Sequence, residues 1–162
     1  MPVTPVRVLL VCVGNICRSP TAEAVLRRKL RERGLDALVE VDSAGTHAYQ
    51  AGDPPDERSQ RHALRRGYDL STLRARLVQD DDFERFDVIF AMDFDNLEVL
   101  ESLCPPTHRA KLGRLTQHAR RFDSAVVPDP YMGGPAGFER VLDLLEDACE
   151  GLVDHLDRLL RP

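Results

Sequence analysis

Cys12 and Arg18 stand with five residues between them in the segment Val11-Cys-Val-Gly-Asn-Ile-Cys-Arg-Ser-Pro20. The cysteine lies near the end of an apolar, β-branched run, Val6 to Val13, which reads as a buried strand. The arginine leads into Ser19-Pro20-Thr21-Ala22-Glu23, the start of a helix. Ser19 suits the cap, Pro20 the first turn, and Glu23 lies close to the capping-box position. Gly14 to Cys17 form the loop between. Such a loop turns backbone N–H groups inward, and the helix N-terminus adds positive partial charge. Together they suit a tetrahedral oxyanion. Arg18 at the rim offers a planar fork to two anion oxygens. Cys12 at the base feels the same positive field, which favours its thiolate. A thiolate beneath a phosphoryl group is a nucleophile in place. The plain alternative makes Cys12 a buried strand cysteine and Arg18 a surface helix residue. The spacing alone does not choose between the two; the longer string, with Gly14, Asn15, Cys17, Ser19 and Pro20, favours the first.

The elements that must position this loop follow from pattern. The first helix carries a stripe of Ala22, Val25, Leu26 and Leu30 and stops at Gly34. Leu38 to Val41 reads as a second strand, ending at Asp42-Ser43-Ala44-Gly45. Thr46 to Pro55 is a Gly- and Pro-rich loop, and Asp56 caps a helix that runs to about Arg66, before Gly67. A short helix is expected over Asp81 to Phe86, a third strand over Asp87 to Met92, and a helix over Phe94 to Leu103, before Pro105-Pro106. Lys111 to Leu115 gives a fourth, short strand; Val127 to Pro135 is a long loop. A final helix runs from near Gly137 to Leu160, with Phe138, Val141, Leu142, Leu145, Cys149, Leu152, Leu156 and Leu159 at helical spacing. Strands alternating with helices imply an α/β fold with a parallel sheet and right-handed crossovers. Ligands then bind beyond the carboxyl ends of the strands, here Cys12 to Ser19, Ser43 to Gly45, and Met92 to Asp93.

The 162 residues suit one domain spanning 1–162, long enough to bury a core without disulfide or metal staples. The net charge of −5 argues against bulk nucleic-acid binding. Residues 1–79 carry 13 basic and 9 acidic side chains, and residues 80–162 carry 9 and 18. The basic half suits an anionic substrate, although solvated helix faces account for the count equally simply. The longest apolar run is far too short to span a bilayer, and the N-terminus lacks a signal-peptide pattern, so no membrane insertion and a cytoplasmic location are expected. The four cysteines, Cys12, Cys17, Cys104 and Cys149, should then be reduced. The Cys12–Cys17 pair has no second pair at ligand spacing and the five histidines are scattered, so neither a metal nor a cofactor is expected.

At these residues the chain resembles the low-molecular-weight protein tyrosine phosphatases, in their bacterial form. Their pattern V-C-x-G-N-I-C-R-S-P is matched from Val11 to Pro20. Three further markers appear as Ser43-Ala44-Gly45-Thr46, as Ala91-Met92-Asp93 with Asn96, and as Asp129-Pro130-Tyr131. The resemblance covers nearly the whole chain. It implies a four-stranded parallel twisted sheet flanked by helices on both faces. It also implies hydrolysis of phosphotyrosine through a phosphocysteine intermediate on Cys12, with Arg18 as phosphate clamp and Asp129 as general acid and base. From the residues alone, Pro128-Asp129-Pro130 reads as a turn. The loop positions Val13, Gly14, Asn15, Ile16 and Cys17 would surround the phosphate. Asn15, Ser19 and Ser43 would form a polar network behind the loop; local turn and cap bonding is their other reading. Cys17 is either a second thiol able to trap oxidised Cys12 or a passive small residue. Tyr49 and Tyr131 would wall the substrate ring, although a loop tyrosine such as Tyr49 can simply face solvent. The implied partner is a phosphotyrosine-bearing protein, with a bacterial tyrosine kinase among the candidates.

Two positions depart from the family pattern. Leu73 stands where many bacterial members carry the histidine that supports the loop asparagine, within Asp69, Ser71, Arg74, Ala75 and Arg76, which do fit. Met132 follows Tyr131 where some members have a second tyrosine. Three other functions compete. Arsenate reduction needs relay thiols, and Cys104 and Cys149 are too far apart in sequence to suggest a pair. Phosphoarginine hydrolysis goes with threonine where Ile16 stands. A non-catalytic phosphotyrosine-binding module would have no use for Cys12, Arg18 and Asp129 together.

Overall fold

The structure is a computed structural model that describes residues 4–47 and 49–162. Four strands, β1 (Val6–Cys12), β2 (Val39–Gly45), β3 (Val88–Ala91) and β4 (Leu112–Arg114), pair in parallel in the order β2-β1-β3-β4. The central strand β1 is apolar throughout because both its faces are covered. Val8, Leu10 and Cys12 face one core and Leu9 and Val11 the other. Each fully buried Leu of this strand contributes about 1.5–3 kcal/mol relative to exposure.

On the first face lie α1 (Arg18–Glu32), α2 (Glu57–Arg65) and α5 (Pro135–Leu160), which bring Val25, Leu26, Ala63, Leu142, Leu145 and Leu152 to the core. On the second lie α3 (Asp82–Arg85) and α4 (Phe94–Leu103), which add Phe83 and Leu100. The expected sheet, flanked by helices on both faces, is the one observed.

Several boundaries differ for identifiable reasons. β2 runs on through Asp42-Ser43-Ala44 to Gly45, which pairs with Cys12. Gly45 must lack a side chain: a Cβ there would lie 2.5 Å from the Val13 carbonyl oxygen, because the loop after β1 folds directly over it. The 3-10 turns Pro106–Lys111 and Leu115–His118 flank β4 and were not anticipated. α5 begins at Pro135, whose missing N–H is harmless in a first turn. Its stripe is buried from Phe138 to Leu156, but Leu159 is exposed. α5 crosses the second 3-10 turn so closely that a Cβ on Gly151 would meet the His118 carbonyl oxygen at 1.8 Å. No helix among the described residues is long and apolar enough to cross a membrane.

Asp147 of α5 fixes the chain beyond that turn. Its carboxylate accepts the backbone N–H groups of Arg120, Arg121 and Phe122 at 2.9–3.0 Å. The chain then reaches Val127, whose N–H donates to the Met92 carbonyl at the end of β3. The loop carrying Asp129 is thereby led back to the carboxyl edge of the sheet.

Candidate active site

Three chain segments meet at the carboxyl ends of β1, β2 and β3, and between them lies a cavity of about 160 Å³. It is lined by Cys12, Val13, Gly14, Ile16, Cys17, Arg18, Tyr49, Gln50, Asp129 and Tyr131. Nine of these were singled out by sequence; Gln50 was not, since a lone polar loop residue carries no signal.

The loop over the cavity is built from β2 as much as from its own residues. Thr46 and His47 donate their N–H groups to the carbonyls of Cys12 and Val13 at 2.9 and 3.0 Å. Asn15 adopts φ of 59°, a left-handed conformation that asparagine tolerates better than most residues. The residue ahead of α1 is Cys17, and no described side chain caps the helix; Thr21 bonds back to the Cys17 carbonyl instead. The first-turn amides of α1 are thus unclaimed by side chains, as an anion site requires.

Ser19 is therefore not the helix cap, and Glu23 does not close a capping box. Both are drawn inward by partners distant in sequence. The Asn15 Oδ1 accepts the Arg76 N–H at 3.0 Å, which turns its amide nitrogen toward Ser19 and Ser43, at 2.7 and 3.0 Å. Ser43 gives its own proton to Glu23 Oε1 at 2.7 Å. Ser19 accepts from Asn15, so its proton is left for the Cys12 sulfur at 3.0 Å; the Ala44 carbonyl is further off at 3.4 Å. The Cys12 sulfur is thereby the acceptor of a fixed hydroxyl donor. Burial pushes the Glu23 carboxyl up, with bonds from Ser43 and Arg27 pulling against it. Leu73, at the position of the missing histidine, packs against the first core. The backbone of Arg76 supplies the support that Asn15 needs.

Arg18 is almost wholly buried, at 2% exposure. Its NH1 is held by Asp93 Oδ2 at 2.5 Å and by the Val127 carbonyl at 3.0 Å. Asp93 also caps α4 through the Asn96 N–H at 2.7 Å, so one carboxylate fixes both the helix and the arginine. Sequence placed Asp93 in a converging loop but did not see this grip. NH1 being held, NH2 and Nε remain for a ligand. The Asp129 carboxylate stands 3.7 Å from NH2 and accepts the Tyr131 N–H at 3.0 Å. Tyr49 is 76% exposed, with its ring stacked on His47 at 5.2 Å, and Tyr131 is 45% exposed. Cys17 is buried beside the cavity, and burial pushes its thiol up to about 12.

The family model for low molecular weight phosphotyrosine protein phosphatase matches residues 7–161. A low molecular weight protein-tyrosine-phosphatase of Streptomyces coelicolor is 43% identical, over 91% of each chain. A crystal structure of a protein tyrosine phosphatase from Entamoeba histolytica superposes with a TM-score of 0.93 at 41% identity, over 96% of this chain and 99% of the other. The crystal structure of a Drosophila arginine phosphatase superposes with a TM-score of 0.85 at 34% identity, over 92% and 96%. The chain belongs to the low molecular weight phosphotyrosine protein phosphatase family. It is a phosphatase, a phosphoric monoester hydrolase.

Proposed function

We propose that this protein hydrolyses phosphotyrosine in proteins by two displacements at phosphorus, both within the Cys12 loop. The observation that carries the reading is the meeting of Cys12, Arg18 and Asp129 around one cavity, although 117 positions separate the first from the last.

In the first step the Cys12 sulfur attacks phosphorus. The S–P bond forms, the bond from phosphorus to the tyrosine oxygen breaks, and the Asp129 carboxyl gives its proton to that oxygen. In the second, the Asp129 carboxylate takes a proton from water, whose oxygen attacks phosphorus as the S–P bond breaks, releasing phosphate. Arg18, through NH2 and Nε, and the amides of Val13 to Arg18 hold the equatorial oxygens as charge spreads over them. Ser19, backed by Asn15 and Ser43, holds the thiolate. Tyr49 and Tyr131 flank the aryl ring, and Ile16 presents a β-branched apolar wall that suits an aryl phosphate better than a phosphoguanidinium.

The enzyme acts in the cytoplasm, where a nucleophilic thiol such as Cys12 is kept reduced. Its partner is a phosphotyrosine protein, with an autophosphorylated bacterial tyrosine kinase the first to try. The test is a panel of phosphotyrosine, phosphoserine and phosphoarginine peptides, assayed with the parent, Cys12→Ser and Asp129→Asn, with and without EDTA. Phosphotyrosine should be cleaved, unaffected by EDTA, and Cys12→Ser should be inactive. Asp129→Asn should lose more on phosphotyrosine than on a nitrophenyl ester. A rate that survives Cys12→Ser sinks the mechanism, and preference for phosphoarginine sinks the substrate.

A further inference from the structure

The stretch 128–134 that carries Asp129 is anchored at Val127 before it and at α5 after it. Between those anchors, among the described residues, the one side-chain hydrogen bond to its backbone from another element comes from Arg58 of α2. Arg58 NH2 donates to the Tyr131 carbonyl at 2.9 Å. The guanidinium carbon also lies 5.4 Å from the Tyr131 ring centroid and 4.8 Å from that of Phe138, a buried residue in the first turn of α5. Phe138 is in turn stacked on His62 of α2.

The other end of this contact is as well defined. Asp56 caps α2 and grips Arg58 with both oxygens, Oδ1 on Nε at 3.2 Å and Oδ2 on NH2 at 3.0 Å. The Asp56 N–H donates to the Ile16 carbonyl at 2.8 Å, inside the Cys12 loop. Ile16, Asp56, Arg58 and Tyr131 therefore form a continuous tie from the anion-binding loop to the loop of the acid. Arg58 does not line the cavity. An ion pair so close to solvent contributes little as a stability element. What this one does is fix a distance between two loops, and two flat rings hold the planar guanidinium in place.

The geometry points to Arg58 as a positioning residue for proton transfer: through the Tyr131 carbonyl it holds Asp129 in register with the Cys12 loop. The inference rests on the reading of Asp129 as general acid.

The test uses Arg58→Met, which keeps the apolar stem against Phe138, and Arg58→Lys. Both are assayed on aryl phosphates whose leaving phenols span pKa about 7 to about 10. Arg58→Met should lose about ten-fold or more in kcat/KM, which reports the step that expels the phenol, on the poorest leaving group and less than about three-fold on the best. The alkaline limb of its kcat/KM profile should flatten, while inhibition by inorganic phosphate stays within about two-fold of the parent. Arg58→Lys, with a charge and a donor but no two-point grip, should fall between. In an Asp129→Asn background, Arg58→Met should add no further leaving-group dependence. Equal losses across the series, an unchanged enzyme, or a weakened phosphate site would each overturn the inference while leaving the acid in place. Equal losses for Asp129→Asn itself would remove the acid, and the inference with it.

Discussion

The Ser19 hydroxyl lies 3.0 Å from the Cys12 sulfur, and its proton has no nearer acceptor, because Asn15 already donates to its oxygen. The direction of that bond is set at a distance, by the Arg76 N–H that orients the Asn15 amide. Ser19→Ala should therefore slow alkylation of Cys12 by iodoacetate at neutral pH. A hydrogen bond to a charged group contributes about 1.5–3 kcal/mol, so the loss should be about ten-fold or more, with a similar fall in kcat. Inhibition by phosphate should hardly change. Unaltered alkylation would show that Ser19 does not act on the sulfur.

Arg18→Lys should lose most of the activity, since an ammonium cannot be held at one nitrogen while presenting two others to the phosphate. Asp93→Asn keeps an oxygen for the α4 cap but weakens the grip on NH1. It should cost about 1–3 kcal/mol in thermal or denaturant unfolding and reduce kcat/KM by about ten-fold or more. A variant with normal kcat/KM would show that the bond to Asp93 only stabilises the fold.

Oxidation should depend on pH in a definite direction. Peroxide converts the Cys12 thiolate to a sulfenic acid, and attack by Cys17 would expel water and close a disulfide. Burial holds the Cys17 thiol near 12, so its thiolate fraction is small at neutral pH and rises about ten-fold per pH unit. At fixed peroxide, mass spectrometry should find the ratio of Cys12–Cys17 disulfide to over-oxidised Cys12 increasing from pH 7 to 9. Reduction by dithiothreitol should restore activity in proportion to the disulfide. A ratio flat with pH would mean that Cys17 is not the limiting nucleophile.

Asp147 should matter for acid stability. Burial alone would raise its carboxyl, but the backbone N–H groups of Phe122, Arg120 and Arg121 hold it below the ordinary aspartate value. Its contribution is present above the unfolded pKa of about 3.9 and is lost as pH falls through the lower folded value. Asp147→Asn should cost about 2 kcal/mol at pH 7, and the deficit should shrink below about pH 4. A deficit constant down to pH 2 would show that its charge is irrelevant.

The order of elements was legible because period and punctuation are local. Val6 to Val13 read as a covered strand from its β-branched residues and the loop after it, and β1 spans Val6–Cys12; Asp56 caps α2 as read, bonding the N–H groups of Arg58 and Ser59. The loop was legible because its chemistry is compressed into one segment. The cap reading of Ser19 and Glu23 failed because the same residue types that cap helices also satisfy buried partners, here on β1, its loop and β2. The grip of Asp93 on Arg18, the Arg76 bond to Asn15 and the Arg58 tie join positions 75, 61 and 73 residues apart. No pattern within a window of one helix or strand could reveal them.

Gly45 bears on how portable this site is. Its bare α-carbon is the floor on which the Val13 carbonyl rests, and the two residues after it bond the loop's own carbonyls. The segment from Val11 to Pro20 is therefore a shape held from outside, not a self-contained module. Transplanted into another strand–helix junction it would need a neighbouring strand that ends in glycine at the right register. It would also need a serine two residues before that glycine, and a third segment to orient Asn15. A scaffold search for new hosts should begin with the neighbour strand and fit the loop to it afterwards.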